Sequence, residues 1–162
     1  MDVMEIKNIT VLGSGIMGHG IAQISAMAGY NVVLRDIEQK FLDKAMDKIN
    51  WSLEKLVSKE KISKDERDKI TARIKPIVDL SNAVHDSDLV IEAVPEIMDL
   101  KKKVYAELDK AADDRVIFAS NTSTLPITEI ANTVSKPERF IGIHFFNPPQ
   151  LMKLVEVIPG QN

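Results

Sequence analysis

Ile9-Thr10-Val11-Leu12-Gly13-Ser14-Gly15-Ile16-Met17-Gly18 is the stretch that decides the fold. An apolar, β-branched run meets G-x-G-x-x-G and then passes into helical spacing. The three glycines have separate tasks. Gly13 makes the tight turn, Gly15 lets a pyrophosphate approach the backbone, and Gly18 lets the helix sit close to the strand. Phosphates would lie on the helix N-terminus, where free N–H groups and the dipole favour anions. The run Gly13, Ser14, Gly15, Ile16, Met17, Gly18 is therefore the candidate phosphate-binding turn. Asp36 closes the next strand, 18 residues beyond Gly18, where an acid is placed to hydrogen-bond the adenosine ribose. A lone G-x-G-x-x-G is weak. A strand before it, a helix after it and an acid at this distance make a dinucleotide site the reading. The competing reading is a glycine-rich turn in some other α/β protein.

Composition narrows the rest. At 162 residues the chain is long enough for one domain with a real core. A net charge of −3 argues against a nucleic-acid or anionic-membrane surface. With no cysteines, disulfides, thiolate metal sites and a cysteine nucleophile are excluded, and a reducing, cytoplasmic location is the expectation. No apolar run is long enough to span a membrane. Asp2 and Glu5 at the start do not fit a signal peptide.

Helical and strand patterns alternate, which predicts a parallel sheet covered by helices. Strands are expected at 9–13, 31–36, 77–80, 88–94, 115–119 and 140–146, with a returning antiparallel strand at 151–158. Helices are expected at 16–28, closed by Gly29, and at 99–112. A helical hairpin interrupts the alternation before the third strand. Its first arm carries Phe41, Leu42, Ala45, Met46, Ile49, Leu53 and Leu56 at helical spacing. Its second starts at the capping box Ser63-Lys64-Asp65-Glu66 and runs to about residue 75. The fold class is thus α/β: a Rossmann-like, doubly wound, mostly parallel sheet with an inserted helical hairpin and an antiparallel edge strand. Gly13, Asp36, residues 94–96, 120–123 and 144–147 all fall at strand ends. In an open parallel sheet these share one edge, where ligands bind.

His144 stands out among the three histidines. If the last two strands pair about a turn centred near Gln150, His144 lies directly opposite Glu156 on one face. A carboxylate there fixes the imidazole tautomer and stabilises the imidazolium, which makes a general acid–base. The plain alternative is a cross-strand ion pair. Ser120-Asn121-Thr122-Ser123-Thr124 offers a hydroxyl for a substrate oxygen. The same run can cap the next helix through Ser123 or Thr124. Lys55, Lys59, Lys61 and Lys64 read, on their own, as a solvated helix face.

Together, residues 13–18, Asp36, Ile91-Glu92-Ala93-Val94-Pro95-Glu96, Ser120–Ser123, His144-Phe145-Phe146-Asn147-Pro148 and Met152-Lys153-Leu154-Val155-Glu156-Val157 resemble the 3-hydroxyacyl-CoA dehydrogenase family, its short-chain 3-hydroxybutyryl-CoA members most of all. The resemblance runs through essentially the whole chain. It implies NAD as cofactor and no metal. His144 would be the catalytic acid–base, Glu156 its partner and Ser123 the hydrogen-bond partner of the substrate hydroxyl. Glu96, Lys101, Ser123 and Asn147 would contact the ribose–nicotinamide half of NAD. Ser52 and Lys59 match coenzyme A contacts on the hairpin. The reaction implied is reversible oxidation of a (3S)-hydroxyacyl-CoA. The resemblance also implies an all-helical C-terminal domain, absent from these 162 residues, that closes the cleft and forms a homodimer. The chain alone would then bind NAD with little or no turnover.

Pro149-Gln150-Leu151 departs from the family's usual turn. Arg35, beside Asp36, leaves tolerance of NADP open. A dinucleotide-binding module without catalysis is the main alternative. A dehydrogenase of free 3-hydroxyacids is a weaker one, because those relatives use a lysine base.

Overall fold

A computed structural model describes residues 5–161. Seven strands form one sheet in the order β3-β2-β1-β4-β5-β6-β7. They are β1 (Asn8–Leu12), β2 (Asn31–Arg35), β3 (Ile74–Ile77), β4 (Leu89–Glu92), β5 (Ile117–Ser120), β6 (Phe140–Phe145) and β7 (Val155–Pro159). All neighbours run parallel except β6 and β7, which are antiparallel. The strand order reverses between β1 and β4, so their carboxyl ends diverge and open a crevice.

Alternation along β1 explains the layers. Ile9 and Val11 face one side and pack with α1 (Gly18–Met27), α2 (Gln39–Ser58) and α3 (Lys64–Ala72) through Ile21, Leu42, Ile49, Leu53 and Ile70. Leu12 faces the other side, with Val90, Phe118, Tyr105 and Leu108 under α4 (Leu80–Val84), α5 (Met98–Ala111) and α6 (Ile127–Ala131). Thr10 shares that second face and is buried. Its hydroxyl satisfies itself on the Ala83 carbonyl at 2.7 Å and the Ser87 hydroxyl at 2.6 Å, as a buried polar group must.

Local signals placed most elements. Gly29 has φ +100° and ends α1 as a left-handed C-cap. The capping box is complete: the Glu66 amide donates to Ser63 Oγ at 3.1 Å, and the Ser63 amide donates to Glu66 Oε2 at 2.7 Å.

The third strand is a correction. It spans Ile74–Ile77 rather than 77–80. Ile70 and Ile74 are four residues apart and suit a continuing helix, yet α3 ends at Ala72. Ile74 instead pairs with Val32 and is buried in the sheet. Pro76 is tolerated because β3 is an edge strand. Residue 80, expected in the strand, begins α4, whose N-cap Asp79 accepts from the Asn82 amide at 2.8 Å. Two smaller corrections concern the far edge. The returning strand starts at Val155 rather than 151. α6 begins after Pro126 and takes no side-chain cap from Ser123 or Thr124. The β6–β7 register is nonetheless the expected one, with His144 opposite Glu156.

Asp88 ties the start of β4 to the N-terminal segment. Its Oδ2 accepts from the amides of Lys7 and Asn8, both at 2.9 Å. Burial pushes this carboxyl up, but those amides together with Arg115 and Lys7 hold it below its ordinary value. A carboxyl lowered by folding stabilises the fold fully above its unfolded value, near pH 4, and loses that contribution as pH falls through the lower folded value. Thermal scans are therefore expected to give a steady melting temperature above about pH 5 and a decline below about pH 4. Asp88→Asn should lower the plateau and flatten the decline. An unchanged acid limb would show that Asp88 does not carry it.

Candidate functional site

The carboxyl ends of β1, β2, β4, β5 and β6 surround a cleft of about 810 Å³, lined by residues including Gly13, Gly15, Asp36, Glu96, Ser123, His144 and Asn147. The sequence placed these residues on one sheet edge, and the structure brings them around one cavity.

The glycine turn has the three properties its pattern implied. Gly13 has φ +88°, and a Cβ there would lie 2.8 Å from the Ala93 carbonyl oxygen. A Cβ on Gly18 would fall 1.6 Å from the Gly13 carbonyl oxygen, so the helix is held against the strand end by the absence of a side chain. At Gly15 nothing lies within 4 Å of that position, which leaves open space beside backbone amides. The N-terminus of α1 has no side-chain cap and no acid in its first turn. It is left positive in character and ready for an anion. Ser14 is buried, while Ile16 is exposed and lines the cleft with Met17. Asp36 is already engaged: Oδ2 accepts from the Ser14 amide at 2.7 Å and the Ser14 hydroxyl at 2.6 Å, and Oδ1 from the Ile37 amide at 2.7 Å. A carboxylate has about four acceptor positions, so room remains for a ligand hydroxyl. Arg35 lines the same cavity, but its Nε donates to the Val78 carbonyl at 3.0 Å.

Across the crevice, Glu96 reaches from the end of β4 to the loop after β5. Its Oε1 accepts from the Thr122 hydroxyl, from the Ser123 amide at 3.0 Å and from the Thr124 amide and hydroxyl, each at 3.3 Å. Burial pushes its carboxyl up, but the Thr122 hydroxyl, Lys101 and the Thr124 amide hold it below the usual carboxylate range. Glu96 is therefore an anion at neutral pH. It also fixes the loop that presents Ser123, a residue lining the cleft.

Lys101, which the resemblance assigns to the nicotinamide half, lies on α5 beside Glu96. Its side chain is 1% exposed, and Nζ lies 2.6 Å from Glu92 Oε1, 3.3 Å from Glu96 Oε2 and 3.3 Å from the Val94 carbonyl oxygen. Lys101 itself is not among the residues that line the cavity. Glu92, its partner, has a side chain at 0% exposure. A charged residue inside an otherwise apolar strand was the signal for it.

His144 Nδ1 lies 2.8 Å from Glu156 Oε2, across the antiparallel β6–β7 pair. That contact leaves Nε2 as the nitrogen for a substrate. The ring is largely buried at 18% exposure, tilted against Phe146 with centroids 4.7 Å apart. The β6–β7 pairing, the carboxylate and the aromatic neighbour together restrict its orientation. The Asn121 side-chain oxygen accepts from the Phe145 amide at 2.9 Å and ties the Ser123 loop to the histidine strand. His19 and His85 lie apart from this cavity. His19 Nδ1 contacts the Gly15 carbonyl at 2.5 Å, and His85 pairs with Asp86 in solvent.

On the hairpin, Ser52 is half-buried on α2 and accepts from Gln23 Nε2 at 3.0 Å. Lys59 is exposed at the C-cap of α2. Neither lines the cleft. Among the described residues, no group of His, Asp and Glu is arranged to hold a metal, and no helix is long and apolar enough to cross a membrane.

Comparison with known proteins agrees with this geometry. Residues 8–162 match the family of the 3-hydroxyacyl-CoA dehydrogenase NAD-binding domain. The chain is 44% identical over 158 residues to the mitochondrial hydroxyacyl-coenzyme A dehydrogenase of Rattus norvegicus, covering 94% of this chain and 50% of that protein. It is 43% identical over 155 residues to a 3-hydroxybutyryl-CoA dehydrogenase of Bradyrhizobium diazoefficiens, covering 96% and 53%. The crystal structure of an (S)-3-hydroxybutyryl-CoA dehydrogenase from Ralstonia eutropha matches with a TM-score of 0.94 and 41% identity, over 97% of this chain and 55% of that one. The chain spans about half the length of the curated relatives it matches. A glycine turn, a facing acid and a strand-locked histidine on one cleft, joined to these matches, show that the chain belongs to the 3-hydroxyacyl-CoA dehydrogenase family and carries its NAD-binding domain.

Proposed function

We propose that this chain is the cofactor-binding half of a dehydrogenase that reversibly oxidises (3S)-hydroxyacyl-CoA to 3-ketoacyl-CoA, with a short, four-carbon acyl chain as the preferred substrate. The observation that carries the reading is the His144–Glu156 pair at 2.8 Å, on the same cleft as the glycine turn. The residues fit the dinucleotide. The uncapped helix and the open space at Gly15 suit a pyrophosphate, Asp36 suits one ribose, and Glu96 with Ser123 suits the other half.

When bound, NAD supplies the hydride acceptor. The chain's own residues handle the proton. His144 Nε2 takes it from the substrate hydroxyl, while Glu156 holds Nδ1–H and stabilises the imidazolium that forms. In reverse, the imidazolium donates to the ketone oxygen, and Ser123 supplies a second hydrogen bond. Ser52 and Lys59 would meet the coenzyme A part. The remaining half of the longer protein would be a helical domain that closes the cleft and forms the dimer, in a cytoplasmic enzyme. The 162-residue chain alone would bind NAD(H) but turn over poorly, because positioning and water exclusion are incomplete.

The test pairs two measurements. NADH is titrated against this chain, and acetoacetyl-CoA reduction by NADH is followed with this chain and with the longer protein. Binding by both and turnover mainly by the longer protein is the expected result. Binding without turnover in either would favour a non-catalytic dinucleotide module. Oxidation of free 3-hydroxybutyrate in place of its thioester would favour the free-acid reading.

Cofactor choice follows from Asp36. A 2′-phosphate beside this carboxylate meets like charge, which costs several kcal/mol. Arg35 spends its Nε on the Val78 carbonyl but keeps the N–H donors of its terminal nitrogens, and is the group that would lessen this cost. NADH is expected to bind at least about tenfold more tightly than NADPH, and Asp36→Ala to narrow the gap. Equal affinities for the unaltered chain would overturn this assignment.

A further inference from the structure

We propose that Trp51 is a stacking platform for the adenine ring of the coenzyme A thioester. This rests on the acyl-CoA reading above and adds to it a binding residue on the outer face of α2.

Trp51 is the only tryptophan of the chain and is 63% exposed. The helix does not use it for packing. Leu42, Ala45, Ile49 and Leu53 form the buried side of α2, and at about 100° per residue Trp51 lies nearly opposite Ile49 and Leu53. Lys55, one turn further on, places Nζ 3.5 Å from the centroid of the indole. That cation holds one face of the ring, and the high exposure leaves the other face to solvent. An indole braced on one face and open on the other is a stacking surface for a flat base.

The charges around it suit a base carried on phosphates. The chain has a net charge of −3, yet Lys44, Lys48, Lys55 and Lys59 all fall within about a quarter turn of Trp51 around the helix. All four are exposed, and none is in an ion pair among the described residues. On the opposite flank Glu54 is paired with Arg67 and Asp43 accepts from Gln39, which leaves Asp47 as the acid beside the stripe.

Two adenines come to such an enzyme, and position selects between them. The adenosine of NAD is accounted for at Asp36, beyond the end of β2. Coenzyme A carries the other, at the far end of a long arm from the thioester. The start of α2 is at the cleft, where Phe41 lines the wall. Trp51 lies ten residues further along, about 15 Å of helix. A thioester reacting at His144 keeps its adenine outside the cleft, and the outer face of α2 is beside the way out.

The test follows turnover by the longer protein with acetoacetyl-CoA and with acetoacetyl-pantetheine, which keeps the reacting end and lacks the nucleotide. Trp51→Ala is expected to raise KM for acetoacetyl-CoA by roughly tenfold. It should leave kcat, KM for acetoacetyl-pantetheine and NADH affinity unchanged. Trp51→Phe, which keeps a ring, should recover most of the loss. Trp51→Ala also removes the surface under Lys55, so the comparison is repeated in a Lys55→Met background. The loss should persist there; its disappearance would mean that the indole acts only through the lysine, and would overturn the proposal. The difference in emission between the unaltered and Trp51→Phe proteins isolates the Trp51 signal, which coenzyme A should quench and pantetheine should not. An unchanged KM for acetoacetyl-CoA, an equal rise for both thioesters, or unquenched emission would overturn the stacking role and leave the dehydrogenase reading intact. No turnover of acetoacetyl-CoA by the unaltered longer protein would instead overturn that reading, and this inference with it.

Discussion

Replacing His144 by glutamine is expected to lower turnover of the longer enzyme by roughly 10²–10⁴ while leaving NADH affinity unchanged. Glutamine keeps a polar group of similar reach but cannot carry the proton between substrate and Glu156. The phosphate turn and Asp36 follow the ends of β1 and β2, away from the β6–β7 pair, so the cofactor should still bind. Glu156→Gln should also lower kcat and shift its pH profile. The amide keeps a contact to Nδ1 but no longer offers charge to an imidazolium. Because the two side chains touch at 2.8 Å, their effects should not add. The double variant is expected to be little worse than His144→Gln. Losses that multiply would show two independent contributions rather than one proton-handling pair. Steady-state rates across the neutral pH range, with NADH titrations on the same proteins, make the comparison.

The second large effect separates two glycines that the motif treats alike. Gly18→Ala is expected to destabilise the fold by about 3 kcal/mol or more, at the top of the overpacking range, and to abolish NADH binding. Its new methyl would lie 1.6 Å from the Gly13 carbonyl oxygen and 2.7 Å from the Gly13 carbonyl carbon. Both are backbone atoms, so no side chain can swing aside and α1 itself must move. Gly15→Ala should fold as stably as the unaltered chain, since nothing lies within 4 Å of its new methyl. It should still weaken NADH binding, because that open space is where a pyrophosphate approaches the backbone. Denaturant melts and NADH titrations on the two variants decide it. Equal stabilities would mean that the close approach at Gly18 is not a constraint. Undiminished NADH binding by Gly15→Ala would place the phosphates elsewhere.

Local chemistry determined much of this protein. Glycines at fixed offsets, an acid at a strand end, the capping box at Ser63 and the alternation of Ile9, Val11 and Leu12 each act within one strand or one turn of helix, so their meaning is visible in the chain. Even the His144–Glu156 contact was legible, because antiparallel pairing across a turn relates residues symmetrically. Two features escaped. Ile74 fits a helix with Ile70 as well as it fits a strand with Val32, and only the vacant edge of β2 decides between them. Lys101 reads as an ordinary helix lysine, yet its ammonium is buried against Glu92. The pairing of a β4 carboxylate with an α5 ammonium depends on how closely that helix lies on the sheet. That distance is set by Tyr105, Leu108, Val90 and Phe118 filling the space between them. The sequence determined which residues reach the carboxyl edge of the sheet; the packing of α5 decided that Lys101 is buried between Glu92 and Glu96.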